Sequence, residues 1–542
     1  MNFNFTEQQQ LAIDHIGSMV ITACPGAGKT TVMVEKIKKV TKNLKAHQGI
    51  IAITFTVKAS EEIVQRSSGS SHSVSQSYFG TIDKFCLNEI IYPFISHIWG
   101  GTSSECRISK NFDENEIALF ETEYQKEFHE EWFLSEIDVF KRLYLSGKIV
   151  LKSVSSIALY ILKNNPAVQQ FIKARYTHIF VDEYQDSSEP QHLLFKALVN
   201  LGLIGVAVGD TNQSIYKFRG SNPEYIRDLI QDQQYEHFVI DINHRSHDSI
   251  KNYAARLLNS NAPLLQTNEC RMFRRLMNGN ISDASEMICD WIQGWKESGT
   301  INEYSNIAIL AKKESSLKLF QKGAKLACRT YVDTPLDKLD SPSATLLTEV
   351  LAYIGGTSNS YQEILDKYLY ETGIRVSPER KRSTVELFRI LRDISDPEEI
   401  LGTCKRIAEK LYLECNKIEE QSVLDILSHQ ELFDLYTPKN NDELQLMTLH
   451  KSKGLEFEIV FHLDLEAWSF PHQRFTGNWN DPPQYSDLAQ ETNLHYVGIT
   501  RAKEMCFLIR CEKRMNSNGK FGNSSPSYFL GLPQLEGLYH FS

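Results

Sequence analysis

Residues 21–31 read ITACPGAGKTT, and their flanks limit the possible folds. Ahead of the glycines stands a short apolar, β-branched run, SMVITAC (18–24). Behind them TTVMVEKIKKV (30–40) sets Val32, Val34 and Ile37 at helical spacing. A strand that turns through glycines into a helix is the context of a phosphate-binding loop in an α/β fold. Backbone N–H groups converge at the helix N-terminus, where free donors and the helix dipole favour phosphate oxygens. Lys29 adds a point charge and Thr30 a hydroxyl suited to Mg²⁺. The run matches G-x-x-x-x-G-K-[ST] except at its first position, where Ala23 stands for glycine. Ala23, Gly26, Ala27, Gly28, Lys29, Thr30 and Thr31 are therefore the expected nucleotide contacts. A plain structural turn is the rival reading.

A second stretch, YTHIFVDEYQD (176–186), places apolar Ile179, Phe180 and Val181 just before Asp182 and Glu183. Carboxylates that emerge where a buried strand ends lie where α/β sheets bind ligands. Asp182 is expected to hold Mg²⁺, with Thr30, and Glu183 to activate the attacking water, because phosphoryl transfer depends on positioning and charge neutralisation.

Composition narrows the class. A chain of 542 residues exceeds one core and implies roughly three or four structural units. With 42% hydrophobic and 23% charged residues it reads as a folded globular protein. The absence of a long apolar run or a secretory-type start points to a cytoplasmic protein without a membrane partner. Its 10 cysteines include no C-x-x-C pair, which argues against zinc, iron–sulfur clusters and disulfides. A net charge of −10 disfavours a generally basic coat, yet a local basic groove remains compatible with it.

Further along come VAVGDTNQSIYKFRG (206–220), INHRS (242–246), LQLMTLHKSKGLEFEIV (444–460) and HYVGITRAKEMCFLI (495–509). In this order, and with the two stretches above, they resemble the motif series of superfamily 1A helicases, the UvrD/Rep/PcrA-like group. The resemblance implies two RecA-like domains with ATP and Mg²⁺ in the cleft between them. It further implies that Gln9 reads the adenine edge, Gln213 senses the γ-phosphate and Glu456 contacts the ribose. Arg245 and Arg501 resemble the two arginines offered to the phosphates from the far half of the cleft, and Lys29, Glu183, Gln213, Arg245 and Arg501 form the implied catalytic set. For DNA, Thr56 and Thr81 resemble backbone contacts, and Phe55, Tyr216 and Phe218 base-stacking platforms; Arg219 and His450 belong to the same implied surface. Stacking suits a translocating enzyme because every base has a π-face. For an aromatic beside an apolar strand, such as Phe55, burial in the core is the competing reading.

Departures from the family pattern are informative. Phe218 stands where relatives carry Trp, and Thr31 and His244 replace the Arg and Tyr that sandwich adenine, so relaxed selectivity among purine nucleotides, including other NTPs and dNTPs, is expected. The segment between Arg245 and His450 and the tail after Arg501 are short for the family, which puts sustained unwinding in doubt. Within that segment, YVDTPLDKLDSPSATLLTEVLAYI (331–354) reads as a Pro-marked turn followed by an apolar helix. It resembles the helicase-like subunit of the Gabija anti-phage system, which implies a hetero-oligomer with an OLD-family ATPase-TOPRIM endonuclease, the Gabija nuclease subunit. No nuclease-like acidic cluster is visible in this chain. The competing functions are a stand-alone 3′–5′ repair helicase and a nucleotide-gated, non-catalytic adaptor; the water-activating Glu183 argues against the adaptor.

The expected organisation follows. Residues 1–86 and 171–260 form a first RecA-like domain, with strands at GIIAITFT, IFVD, LIGVAVGD and HFVIDI joining the phosphate-loop strand. Residues 261–344 and 441–542 form a second, with strands at NIAILAK, LQLMTLH, EIVFHLDL and MCFLIRC. Mostly helical insertions occupy 87–170 and 345–440, the former containing the acidic amphipathic stretch DENEIALFETEYQKEFHEEWF (113–133). Residues 67–77 and 516–527 read as Ser-rich flexible loops. The only duplication is that of whole RecA-like halves.

Overall fold

Side chains of neighbouring strand residues go to opposite faces, and in the first sheet both faces are buried. Met19, Ile21, Ile50, Ala52, Phe180, Val206 and Val208 enter one apolar cluster, while Val20, Ile51, Ile53, Ile179, Val181 and Ala207 enter another. The computed structural model describes residues 5–54, 57–67, 76–102, 106–109, 111–125, 127–217, 220–339, 341–358, 360–372, 376–478, 481–516 and 518–541. They fall into two compact units, Met1–Arg245 and Ser246–Ser542. The sheet of the first has six strands in the order Tyr78–Gly80, Gly49–Ile53, Tyr176–Val181, Ile204–Gly209, Met19–Ala23, Glu236–Ile240. Every pairing in it is parallel.

The second unit holds a seven-stranded, all-parallel sheet in the order Cys328–Tyr331, Leu444–Thr448, Ile307–Ala311, Phe457–His462, Ala502–Cys511, Met272–Met277, His540–Phe541. Helices Ile281–Glu297 and Glu314–Gly323 cover one face. Helices Asp248–Leu258 and Leu488–Ile499 pack together against strands Ala502–Cys511 and Met272–Met277 or Phe457–His462. This corrects the expected boundary at residue 260. Ser246 Oγ donates to the Ala502 carbonyl (2.7 Å) and His247 N–H to the Lys503 carbonyl (2.7 Å), so the division falls after Arg245.

The insertions differ in kind. In the first, Trp99, Phe133, Phe140 and Leu162 share one buried cluster with the sheet residues Ile51 and Ile179. The stretch 113–133 is not one amphipathic helix; among its described residues only Glu114–Ile117 and Glu130–Ser135 are helical. Between them Phe120, Tyr124 and Phe128 gather around Trp132 at centroid distances of 5.1 to 6.1 Å. The carboxylate of Glu136, 2% exposed, accepts the N–H groups of Glu121 (2.9 Å) and Thr122 (2.7 Å) and the Thr122 hydroxyl (2.6 Å). Those bonds satisfy the backbone in a turn instead of a helix. The second insertion has its own core, with Leu347, Val350, Phe388, Ile407 and Ile426 buried among five helices from Pro342–Gly355 to Lys417–Ser428. The Pro-marked turn and helix expected at 331–354 are present as a 3₁₀ turn, Leu336–Lys338, and Pro342–Gly355.

Of residues 516–527, expected to be a flexible loop, Phe521–Asn523 form the second strand of the hairpin Lys513–Met515/Phe521–Asn523. Asn516 Oδ1 accepts the amides of Asn518 (3.0 Å) and Lys520 (2.9 Å) there. Most of the Ser-rich stretch 67–77 lies outside the described residues. No helix among the described residues is long and apolar enough to cross a membrane.

Candidate functional site

Parallel strands all deliver the chain to the same edge of their sheet, where α/β folds gather ligand-binding loops. At that edge of the first sheet lie the phosphate loop after Met19–Ala23, Thr81 after Tyr78–Gly80, Asp182 and Glu183 after Tyr176–Val181, Asp210 to Tyr216 after Ile204–Gly209, and His244 and Arg245 after Glu236–Ile240.

The loop has the features of an anion cradle. Gly28 precedes helix Lys29–Thr41 in the left-handed region (φ 76°) and brings no capping side chain to its N-terminus. Gly26 (φ 72°) leaves no room for a side chain, because a Cβ there would stand 2.5 Å from both Asn243 Oδ1 and Arg245 Cβ. Ala23 and Ala27, 5% and 0% exposed, bury their methyl groups in the core, so any ligand contact they make is through the backbone. Lys29, Thr30 and Thr31 are half-buried. The amide of Gln9 is tied inward, accepting from Thr6 N–H (2.9 Å) and donating to the Ala27 carbonyl (3.0 Å), which anchors the loop to helix Glu7–Asp14. Thr31 Oγ1 accepts from Arg66 Nη2 (2.9 Å). Arg66 was missed in the sequence; nothing in its local pattern shows that helix Val57–Ser67 brings its guanidinium to Thr31.

Across the same edge, Asp182 N–H donates to the Ile53 carbonyl (2.9 Å) and its own Oδ1 accepts Glu183 N–H (2.9 Å). Glu183 adopts φ 52°, a left-handed conformation uncommon outside glycine and a form of backbone strain found at functional sites. Asp210 and Gln213 are 4% and 3% exposed; Gln213 Nε2 donates to Asp210 Oδ2 (2.7 Å). Burial pushes the Asp210 carboxyl above its usual value, opposed mainly by the charge of Lys29. That electrostatic link joins the phosphate loop to this turn. His244 N–H donates to the Gly26 carbonyl (3.0 Å) and Asn243 Oδ1 accepts Arg245 N–H (2.7 Å). Arg245 therefore packs on the phosphate loop from within the first unit, a correction to the expectation that it comes from the far half.

Of the residues expected on DNA, Thr81 precedes helix Ile82–Phe85 and its carbonyl accepts the Tyr78 hydroxyl (3.0 Å); Tyr216 is half-buried. Phe55, Thr56, Phe218 and Arg219 lie outside the described residues. In the second unit His450 follows strand Leu444–Thr448 and is half-buried. Glu456 is exposed and pairs with Lys503 (2.8 Å). Arg501, 2% exposed, donates to the carbonyls of Val497 (3.1 Å) and Leu455 (3.0 Å). Its charge faces the carbonyl end of helix Leu488–Ile499, the favourable end for a cation.

The residues fit a Mg²⁺-nucleotide on their own chemistry. A cradle that a Cβ would fill, a lysine at a helix start, and Thr30 and Asp182 as hard oxygen donors are a suitable set. The UvrD/REP helicase N-terminal domain family matches residues 5–112 and 101–234, and the UvrD-like helicase C-terminal domain family matches 353–513. Gabija protein GajB of Bacillus cereus (strain VD045) is 29% identical over 509 residues, covering 92% of this chain and 94% of that protein. The ATP-dependent DNA helicase Rep of Buchnera aphidicola subsp. Schizaphis graminum is 24% identical over 652 aligned residues, covering 98% of this chain and 97% of that protein. PcrA of Staphylococcus epidermidis, another ATP-dependent DNA helicase, is 24% identical over 644, covering 97% and 85%.

Proposed function

The chain belongs to the UvrD/Rep helicase family, and on that premise we propose that it is the DNA-responsive, nucleotide-hydrolysing subunit of a Gabija-type anti-phage system, acting with an OLD-family endonuclease. That it is a helicase-like ATPase follows from the family itself. The similarity to GajB along nearly the whole of both chains is the observation that supports the finer reading.

When bound, Mg²⁺ supplies positive charge that neutralises the phosphates. In this reading Thr30 and Asp182 hold the metal, Lys29 holds the terminal phosphates, and Glu183 accepts the proton of the attacking water. Gln213 senses the γ-phosphate, and Arg245, already against the loop, adds transition-state charge, as does Arg501. Thr81, Tyr216, His450 and their sequence neighbours grip DNA, single-stranded or at ends. Thr31 and His244 leave the base loosely read, so ATP, GTP and their deoxy forms serve as substrates.

The test is the number of nucleotides hydrolysed per base pair separated by the purified chain on end-bearing duplex, tailed duplex and closed circular DNA. Vigorous hydrolysis stimulated by ends, with little strand separation, is expected. A few nucleotides per base pair on tailed duplex would replace the proposal with a self-sufficient repair helicase like Rep and PcrA. In parallel, Glu183→Gln lowers turnover by about 10²–10⁴-fold, the usual contribution of a general base, while nucleotide binding persists. Undiminished turnover there would remove Glu183 from the catalytic set.

A further inference from the structure

Gln185 lies two residues beyond Glu183 and is completely buried, 0% exposed. Its amide is spent on two loops. Nε2 donates to Glu183 Oε2, and Oε1 accepts the backbone N–H of Asp210 (2.9 Å). Asp210 in turn fixes the next turn: its Oδ1 accepts Asn212 N–H (3.0 Å), its carbonyl accepts Gln213 N–H (3.0 Å), and its Oδ2 accepts Gln213 Nε2 (2.7 Å). The main-chain carbonyl of Gln185 also accepts the Ser214 hydroxyl (3.3 Å). The slot is close-packed, since a Cβ on Gly209 would stand 2.5 Å from Gln185 Oε1. A continuous hydrogen-bonded chain thus runs Glu183, Gln185, Asp210, Gln213.

We propose that Gln185 is a positioning residue for hydrolysis, its amide locking the Glu183 carboxylate in register with the turn that carries Gln213. This rests on the roles given above to Glu183 and Gln213. The bond from a buried amide restrains the side-chain torsions of a carboxylate that projects from a strand end on a left-handed backbone. Orientation matters because a misplacement of about 1 Å in a reacting group costs on the order of 10²-fold in rate. The same amide makes the two loops one rigid piece, so a displacement of Gln213 is transmitted to Glu183.

The experiment uses the full chain and separates the two ends of the bridge. Gln185→Ala is expected to lower kcat roughly 10–10²-fold, to leave the Kd for a fluorescent ATP analogue within about twofold, and to speed hydrogen exchange at the Asp210 amide in protein free of nucleotide. Gln185→Glu, nearly isosteric, keeps an acceptor for Asp210 N–H but turns a carboxylate oxygen toward Glu183. It should retain Asp210 protection and still lose turnover. Should Gln185→Ala fail to fold, Gln185→Glu alone carries the decision. Wild-type kcat in either variant, or a kcat loss matched by an equal loss of analogue binding, overturns the proposal. Glu183→Gln measured alongside keeps the two failures apart. Turnover surviving in that variant removes the underlying reading, whereas turnover lost there and normal in both Gln185 variants removes only the role of Gln185.

Discussion

Each sheet contains a strand that turns directly into a helix, Met19–Ala23 into Lys29–Thr41 and Ile307–Ala311 into Glu314–Gly323, yet the two junctions are completed in opposite ways. The first is built of glycines in left-handed conformations and brings no capping side chain. The second is closed from within. Asp464, 3% exposed and following the neighbouring strand Phe457–His462, accepts the N–H groups of Lys312 (2.8 Å) and Lys313 (3.3 Å) and the Ser316 hydroxyl (2.6 Å). A helix N-terminus attracts an anion wherever one is at hand. Filled by the chain's own carboxylate it serves architecture; left to a ligand it serves binding.

The comparison breaks most visibly at Lys29. Lys29→Ala should reduce hydrolysis by at least about 10²-fold, through loss of charge at the phosphates, without lowering resistance to urea. A stable variant with normal turnover would contradict the assignment of the first junction. Asp464→Asn should do the reverse. The amide tolerates the left-handed backbone of position 464 (φ 65°) but cannot accept every bond the carboxylate accepts. A loss of about 1–3 kcal/mol in the unfolding of the second unit is expected, with nucleotide affinity retained; an unchanged denaturation midpoint would show that the junction does not need its anion.

Smaller effects sharpen the contrast. Gly26→Ala puts a methyl group against Asn243 Oδ1 and Arg245 at a φ of 72°, so weaker nucleotide binding and a cost of about 1–2 kcal/mol are expected. Equal affinity in titrations of both proteins would mean that the loop moves aside freely.

The second edge should also respond to pH. Burial, and then the charge of Asp464, push the Glu466 carboxyl up to about 8 from 4.5, while Arg510 and Arg514 oppose the shift. Folded protein then holds one more proton than unfolded between those values, so this group's contribution declines as pH rises, by at most about 1.4 kcal/mol per pH unit. Burial lowers His462 to about 4 from 6.5, and the neighbouring His495 is lowered well below 6.5. These two add stability as pH rises toward 6.5 and nothing beyond it. Between pH 6.5 and 8 these two histidines no longer offset the decline due to Glu466, and Glu466→Gln should make the pH slope shallower in urea melts; an identical slope in the variant would rule Glu466 out as a source of it.

Much of this was legible in the sequence because the signals are local. Apolar β-branched runs gave the buried strands, and glycine spacing with a following lysine marked the loop. Strand Met272–Met277 escaped because MFRRLM carries two arginines. Arg274 is accommodated by bonds to the Leu530 carbonyl (2.8 Å) and the Tyr539 hydroxyl (3.0 Å), partners more than 250 residues away. Tyr78–Gly80, Cys328–Tyr331 and His540–Phe541 are too short for a period to register. The acidic stretch 113–133 misled because its charges alternate like those of a helix while its aromatic residues are gathered by a distant core.

By itself the sequence determined the central apolar strands of both sheets and the loop with phosphate-binding spacing, since strand burial and glycine freedom are properties of a few adjacent residues. The tertiary structure alone decided where the chain divides, which of two similar junctions is closed by a carboxylate of the chain itself, and what Arg66, Gln185 and Asp464 bond to. A buried amide or carboxylate acquires its role from the partners that satisfy it, and those partners come from elsewhere in the chain.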